Sequence, residues 1–281
     1  MKICKIIRSL QAALSVYRSR NASIGFVPTM GALHEGHLSL VEQSVNTNDI
    51  TVVSIYINPS QFNDINDLRN YPRNFQQDCK LVRKTGCNLV FAPEDNEMNP
   101  SDDTRKFDFG QMGSIMEGKF RPGHFNGVAQ IVTKLFDIVK PHRAYFGRKD
   151  FQQLAIIRKL VNDYHYAIDI IGCTIIREPD GLAMSSRNAL LTPEHRKAVP
   201  LIYQTLIEAK DMIFNSNVSK ITSSVEQTIN SNPFLKLEYF QIVDSYSLIP
   251  IEELRPENPS TACIAVNAGK VRLIDNIDFI S

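Results

Sequence analysis

The chain shows no charge excess of either sign: 31 lysines and arginines stand against 30 aspartates and glutamates, for a formal net charge of +1. Without a global field, nothing in the composition favours DNA, RNA or an anionic membrane, so any anion has to be gathered by a local cluster. Paired cysteine motifs are missing too. Cys4, Cys79, Cys87, Cys173 and Cys263 are odd in number and scattered, with no C-x-x-C. That argues against a disulfide framework and a zinc ribbon, and the five read as buried free thiols of a reducing compartment. No stretch is apolar for long enough to span a bilayer. The opening "MKICKIIRSLQAALSVY" has early lysines, but Arg8, Ser9 and Gln11 interrupt its apolar character and no small-residue cleavage site comes after it. There is no internal repeat and no low-complexity tract. The expectation is a cytoplasmic protein with neither a nucleic-acid nor a membrane partner.

With 281 residues, 43% of them hydrophobic and 22% charged, the chain can bury one large core or a large and a small one. Strand-like and helix-like patterns alternate through the first two thirds. "SIGFVPT", "ITVVSIYIN", "CNLVFAP", "RAYFGR" and "AIDIIGCTII" are short apolar runs, as strands covered on both faces should be. Between them, "HLSLVEQSV" and "NGVAQIVTKLFDIVKP" have helical spacing, the latter with Val128, Ile131, Val132, Leu135, Phe136 and Val139 on one stripe and Pro141 as its stop. Phe151, Leu154, Ile157 and Leu160 mark another helix. This alternation predicts a doubly wound, Rossmann-like α/β domain with a parallel sheet. After Ile176 the texture changes. Thr192-Pro193 is a good N-cap and first-turn pair, and Pro200 should break or kink the helical segment that they open. "LKLEYFQIVD", "TACIAVN" and "KVRLID" then read as strands, with a hairpin turn at "NAGK". The reading is a first domain over residues 1–177 and a smaller C-terminal α+β domain over 178–281.

Between the first strand and the first amphipathic helix lies "VPTMGALHEGHLSL". A zinc protease would need H-E-x-x-H, whereas these two histidines are three apart with Gly36 between them and no third ligand in view. A P-loop fits the spacing of Gly31 and Gly36, but His37-Leu38 stand where Lys-Ser/Thr would be. Two core histidines are the plain alternative. The position favours chemistry, because ligands of open α/β sheets bind beyond the carboxyl ends of the strands. There the next helix offers unpaired N–H groups and about half a positive charge. The residues therefore suggest a nucleotide phosphate site with a histidine pair in place of the P-loop lysine.

H-x-G-H in this place resembles the signature of the nucleotidyltransferase superfamily. Its second signature, a basic "KMSKS" loop, has a counterpart in "GLAMSSRN", with Arg187 where that pattern has lysine. "FVPTMGALHEGH", "SIYINPSQF", "YPRN", "RPGHFNGV", "YFGRKDFQQL" and "REPDGLAMSSRN", in this order, carry a finer resemblance. Over essentially the whole chain, the sequence resembles the pantothenate synthetase (pantoate–β-alanine ligase) family. The resemblance implies condensation of pantoate with β-alanine driven by ATP, through a pantoyl adenylate, with release of AMP and pyrophosphate, in a homodimer.

Carried over by motif, Met30, Gly31, Ala32, Leu33, His34, Glu35, Gly36 and His37 would line the ATP site, with His34 and His37 on the triphosphate and His37 as proton donor. Gly147, Arg148, Lys149 and Asp150 would bind ATP as well, Lys149 through phosphates and Asp150 through ribose hydroxyls. Ile176 would meet adenine, and Met184, Ser185, Ser186 and Arg187 would close over the nucleotide. Catalysis would fall to His37, His34, Lys149 and Arg187. Gln61 would hold pantoate and face β-alanine, and Gln153, three residues after Asp150, would reach pantoate. The plain alternatives are a loop amide for Gln61 and a solvated first helical turn for Lys149-Asp150. Mg²⁺ is expected with ATP, and Asp78 is the candidate ligand, although a lone carboxylate on a helix is usually a solvated face. "FQQDCKL" carries a single aspartate where relatives are often acidic. Arg121 and His124 are candidates for the pantoyl or β-alanine end, with a helix-start histidine as the equal alternative for His124.

Three rivals have distinct signatures. Another small adenylyltransferase would share H-x-G-H but has no use for "NPSQF" or "KDFQQL". An aminoacyl-tRNA synthetase would need an anticodon-binding region and a basic face. A nucleotide-binding regulator without catalysis would bind ATP and not turn it over.

Overall fold

The computed structural model describes residues 1–62 and 65–280. It divides into two compact units. Met1–Arg148 and Ile156–Thr174 form the first, and Lys149–Ala155 with Ile175–Ser281 form the second.

The first unit is built on six parallel strands: β1 (Lys2–Cys4), β2 (Ile24–Thr29), β3 (Ile50–Ile55), β4 (Leu89–Phe91), β5 (Arg143–Gly147) and β6 (Asp169–Cys173), in the order β1-β4-β3-β2-β5-β6. All but the last residue of β3 are buried, as expected of a strand covered on both faces. β1, three residues pairing Lys2 with Leu89 at the sheet edge, is too short to stand out in the sequence. Strand order reverses at β2, which has β3 on one side and β5 on the other. Such a switch point leaves a crevice at the carboxyl ends of its two strands, the usual ligand position in this architecture.

Packing matches the apolar stripes. In the helix His124–Val139, the stripe residues Val128, Ile131, Val132, Leu135, Phe136 and Val139 are all buried. That helix ends at Lys140 in left-handed conformation, with Pro141 next in the chain. The five cysteines are free and buried. Among the described residues no helix is long and apolar enough to cross a membrane.

The second unit holds three antiparallel strands, β7 (Lys236–Asp244), β8 (Ser260–Ala268) and β9 (Val271–Ile280), in that order. Helices Pro200–Asp211 and Val218–Ser231 contribute Ile202, Leu206, Ile221, Val225 and Ile229 to a core shared with Ile264 and Val266 of β8 and Leu273 of β9. Thr192 caps helix Pro193–Ala198, its side chain accepting from the His195 N–H, and Pro200 opens a new helix rather than kinking one. β8 and β9 are joined at Gly269-Lys270, with Gly269 at φ +61°. That is the tight hairpin predicted at "NAGK".

Candidate functional site

β2 ends at Thr29, and residues 30–34 lead into helix Glu35–Thr47. Gly31 (φ +81°) and Ala32 (φ +50°) both have left-handed backbone. A Cβ on Gly31 would lie 2.9 Å from Asp78 Oδ2 and 3.2 Å from Ile55 Cγ2, so position 31 needs glycine for space as well as conformation. The Ala32 N–H donates to Asp78 Oδ2 at 3.0 Å and the Leu33 N–H to Oδ1 at 2.8 Å. Asp78 is thus no solvated carboxylate. It is 2% exposed, on the buried stripe of helix Phe75–Lys84 beside Cys79 and Val82. Burial pushes its carboxyl above the ordinary value, against the pull of the two main-chain hydrogen bonds.

The histidine pair caps the helix. His34 is the N-cap in extended conformation, and its Nδ1 accepts from the Gly36 N–H at 3.2 Å. His37 Nδ1 accepts from the His34 N–H at 3.4 Å, and the two ring centroids are 4.1 Å apart. A ring nitrogen that accepts carries no proton, so each neutral imidazole bears its hydrogen on Nε2. The cap thereby fixes two Nε2–H donors at a helix N-terminus, where anions are favoured.

After β3, residues Pro59–Gln61 form a single turn of 3₁₀ helix. Gln61 lies against Met30 through its amide nitrogen and the thioether sulfur. Asn58, 3% exposed, donates to the Gly127 carbonyl at 3.1 Å. A Cβ on Gly127 would lie 2.5 Å from the Ser60 carbonyl oxygen. His124 is buried with Nδ1 2.8 Å from the Gln61 carbonyl oxygen. His124 therefore acts on the backbone of Gln61, and "NPSQF" and "RPGHFNGV" are two halves of one packing arrangement. Asn58 and Gly127 were visible only as letters inside those stretches. Past the end of β5, the Arg148 N–H donates to the Cys173 carbonyl at 2.9 Å. A Cβ on Gly147 would have no atom within 4 Å, so internal packing gives no reason for glycine there.

In the second unit, Lys149 is half-buried and its carbonyl accepts from Asn276 Nδ2 at 2.9 Å. Asp150 is exposed, and its carbonyl accepts from the Leu154 N–H, which starts helix Phe151–Asp163. Gln153 is half-buried in that first turn. Residues 176–184 form a tight hairpin. The Met184 N–H donates to the Ile176 carbonyl, Glu178 N–H to Leu182, and Gly181 N–H to Glu178, at 3.0, 2.8 and 2.9 Å. Met184, Ser185, Ser186 and Arg187 are half-buried, with the Arg187 N–H on Ser185 Oγ at 3.2 Å. Arg177, visible in the sequence only as the first letter of "REPDGLAMSSRN", puts both terminal nitrogens on Asp275, at 2.6 and 3.0 Å.

Among the described residues, no three His, Cys, Asp or Glu side chains gather as a metal donor set.

A parallel α/β sheet whose switch-point strand runs into a histidine-capped helix has the architecture expected of the H-x-G-H nucleotidyltransferase class that the sequence resembles. The comparisons narrow that class. The family model for pantoate–β-alanine ligase matches residues 2–278, and the chain belongs to this family. It is 52% identical over 279 residues to the pantothenate synthetase of Bacteroides fragilis, covering 99% of each chain. Among solved structures, pantothenate synthetase from Thermus thermophilus matches with a TM-score of 0.93 at 37% identity, covering all of both chains. Pantoate–β-alanine ligase from Francisella tularensis, complexed with β,γ ATP and β-alanine, matches at 0.82 and 36%, covering 99% of this chain and 98% of that one.

Proposed function

We propose that the chain condenses (R)-pantoate with β-alanine to give pantothenate, in two steps that share one intermediate. A carboxylate oxygen of pantoate attacks the α-phosphorus of ATP, the bond to the β-phosphate bridging oxygen breaks, and pyrophosphate leaves. The β-alanine nitrogen then attacks the acyl carbon of the pantoyl adenylate, the acyl–oxygen bond breaks, and AMP leaves with that electron pair.

The observation that carries this reading is the histidine cap. Both Nδ1 atoms accept main-chain N–H groups, which places the proton of each neutral ring on Nε2 and sets the ring orientations before substrate arrives. Fixed donors aimed at developing charge are what phosphoryl departure requires. We assign the triphosphate to His34 and His37, with Met30, Gly31, Ala32, Leu33, Glu35 and Gly36 supplying the turn. ATP is further assigned to Gly147, Arg148, Lys149, Asp150, Ile176 and Met184 to Arg187. A nucleotide against the backbone would explain a glycine at 147, whose Cβ position is open. Pantoate is assigned to Gln61 and Gln153, and β-alanine to Gln61.

Mg²⁺ bound with ATP would supply neutralisation of the phosphate charge. Asp78 already serves two main-chain donors and stands in no donor cluster among the described residues, so the ion would be held chiefly by ATP. The homodimer rests on the family resemblance, and the cytoplasmic location on the scattered free cysteines.

The test is pyrophosphate release from ATP and Mg²⁺ with pantoate present or absent, before β-alanine is added. Pantoate-dependent release is expected. His37→Ala should slow it by about 100-fold or more, the effect of one lost preorganised donor, with a much smaller change in ATP affinity. ATP binding without release would leave a nucleotide-binding regulator as the better description.

A further inference from the structure

We propose that Asp275 and Asn276 are positioning residues, consecutive on β9, that fix the Lys149 turn and the Met184–Arg187 segment in one frame. The proposal rests on the functional reading above, which places Lys149 and Arg187 on the phosphates.

The connection runs through named bonds. Asn276 Nδ2 donates to the Lys149 carbonyl at 2.9 Å, directly before the first turn of helix Phe151–Asp163. Asp275 accepts both ends of the Arg177 fork, at 2.6 and 3.0 Å, and the Asn276 N–H at 2.8 Å. Arg177 also donates to the Gly181 carbonyl at 3.0 Å, and its guanidinium lies 3.5 Å from the centroid of the Tyr203 ring. Gly181 has φ +91°, and a Cβ there would lie 2.6 Å from Tyr203 Cδ1, so Tyr203 walls in both Arg177 and the turn.

The far side of the hairpin is fastened as well. Asn188 Nδ2 donates to Glu178 Oε1 at 2.7 Å and to the Ala183 carbonyl at 3.2 Å, and Arg196 bridges Glu178 and Asp180. Met184–Arg187 therefore leaves the hairpin at the Met184–Ile176 bond and is closed by Asn188, which bonds Glu178, Ala183 and the Ser185 carbonyl.

Stability alone is a poor reason for this arrangement. The core of the second unit is apolar, and a buried ion pair seldom adds more than packed apolar residues of similar volume would. What the pair does supply is a fixed geometry. Lys149 and Arg187 are far apart in sequence and alike in charge, so holding both against one triphosphate needs an external reference.

The experiment compares Asn276→Leu, which keeps the shape and removes the donor, with Asn276→Gln, which keeps an amide on a longer arm. Both are measured in the full-length chain by pantoate-dependent pyrophosphate release and by amide hydrogen exchange. Asn276→Leu should lower kcat about tenfold, since displacements of an ångström at such sites cost up to about 100-fold, with the pantoate KM unchanged. Exchange over residues 150–154 should quicken, and Asn276→Gln should recover part of both effects. Arg177→Lys, which keeps the charge and loses the fork, should slow release and quicken exchange over 184–188. It also decides the matter if Asn276→Leu fails to fold. A kcat within twofold of the unaltered chain, or unchanged exchange in these segments, overturns the proposal. If the unaltered chain itself releases no pyrophosphate, the functional reading falls, and exchange alone still decides whether this frame exists.

Discussion

Asp78 in the first unit and Asp275 in the second are both buried carboxylates, 2% and 5% exposed, and the fold answers them in different ways. Asp78 is met by two main-chain N–H groups, from Ala32 and Leu33. Asp275 is met by the Arg177 fork. A carboxylate answered by backbone fixes a conformation, here the left-handed turn before the histidine cap. A carboxylate answered by guanidinium fixes a pair of side chains, and removing either member strands the other. The difference predicts a larger stability effect at Asp275. Asp275→Ala leaves the mostly buried Arg177 without its counter-ion and should cost about 3–5 kcal/mol, read by urea unfolding. Arg177→Met combined with Asp275→Leu should regain most of that stability and, on the positioning proposal, not the rate of pyrophosphate release. A cost below about 1 kcal/mol for the single change would place the pair with ordinary surface bridges and remove the contrast.

Asp78→Asn is the corresponding change in the first unit and should cost less. The variant is nearly isosteric, but its amide offers one oxygen to two N–H donors. One of Ala32 and Leu33 is then left facing an NH₂ group, for about 1–3 kcal/mol. Because the same turn leads into the His34 cap, pantoate-dependent pyrophosphate release should slow as well. Normal stability together with a normal rate would show that Gly31 and Ala32 hold the turn unaided.

How far the sequence reveals these devices depends on the kind of signal each leaves. Parallel α/β order, the hairpin at Gly269 and the break at Pro200 were legible because each rests on a local rule of periodicity, turn geometry or proline sterics. The histidine pair was legible as a site because it sits between a strand and a helix, but its capping geometry was not. Capping boxes are read from Ser, Thr, Glu and Gln, and imidazoles do not announce the role. Asp78 was expected as a possible metal ligand or a solvated group. Its place beside Cys79 and Val82 on one helical stripe was the overlooked sign of burial. Asp275 left a similar mark, standing on the inward phase of β9 with Val271 and Leu273. Its partner lies 98 residues away, and nothing local could pair them. The inclusion of Lys149–Ala155 in the second unit is equally non-local, since the Asn276 bond that accompanies it joins segments no pattern relates.

The smallest effect is the one that separates burial from pairing by sign. Burial raises Asp78 above its ordinary value of 3.8, so the folded chain still holds a proton at pH values where the unfolded chain has released it. Stability from this group therefore falls as pH rises from about 3.8 through the raised value, and levels off above it. Asp103 behaves oppositely. The hydrogen bond from Arg105 holds it well below the usual carboxylate range, so its contribution is present above 3.8 and is lost as pH falls toward the lowered value. Between about pH 3 and 6, the stability advantage of the unaltered chain over Asp78→Asn should shrink with rising pH, while its advantage over Asp103→Asn should grow. Urea midpoints collected across that range distinguish the two slopes without relying on their size. Parallel curves for Asp78→Asn and the unaltered chain would mean that the Ala32 and Leu33 donors fully offset the cost of burying the charge.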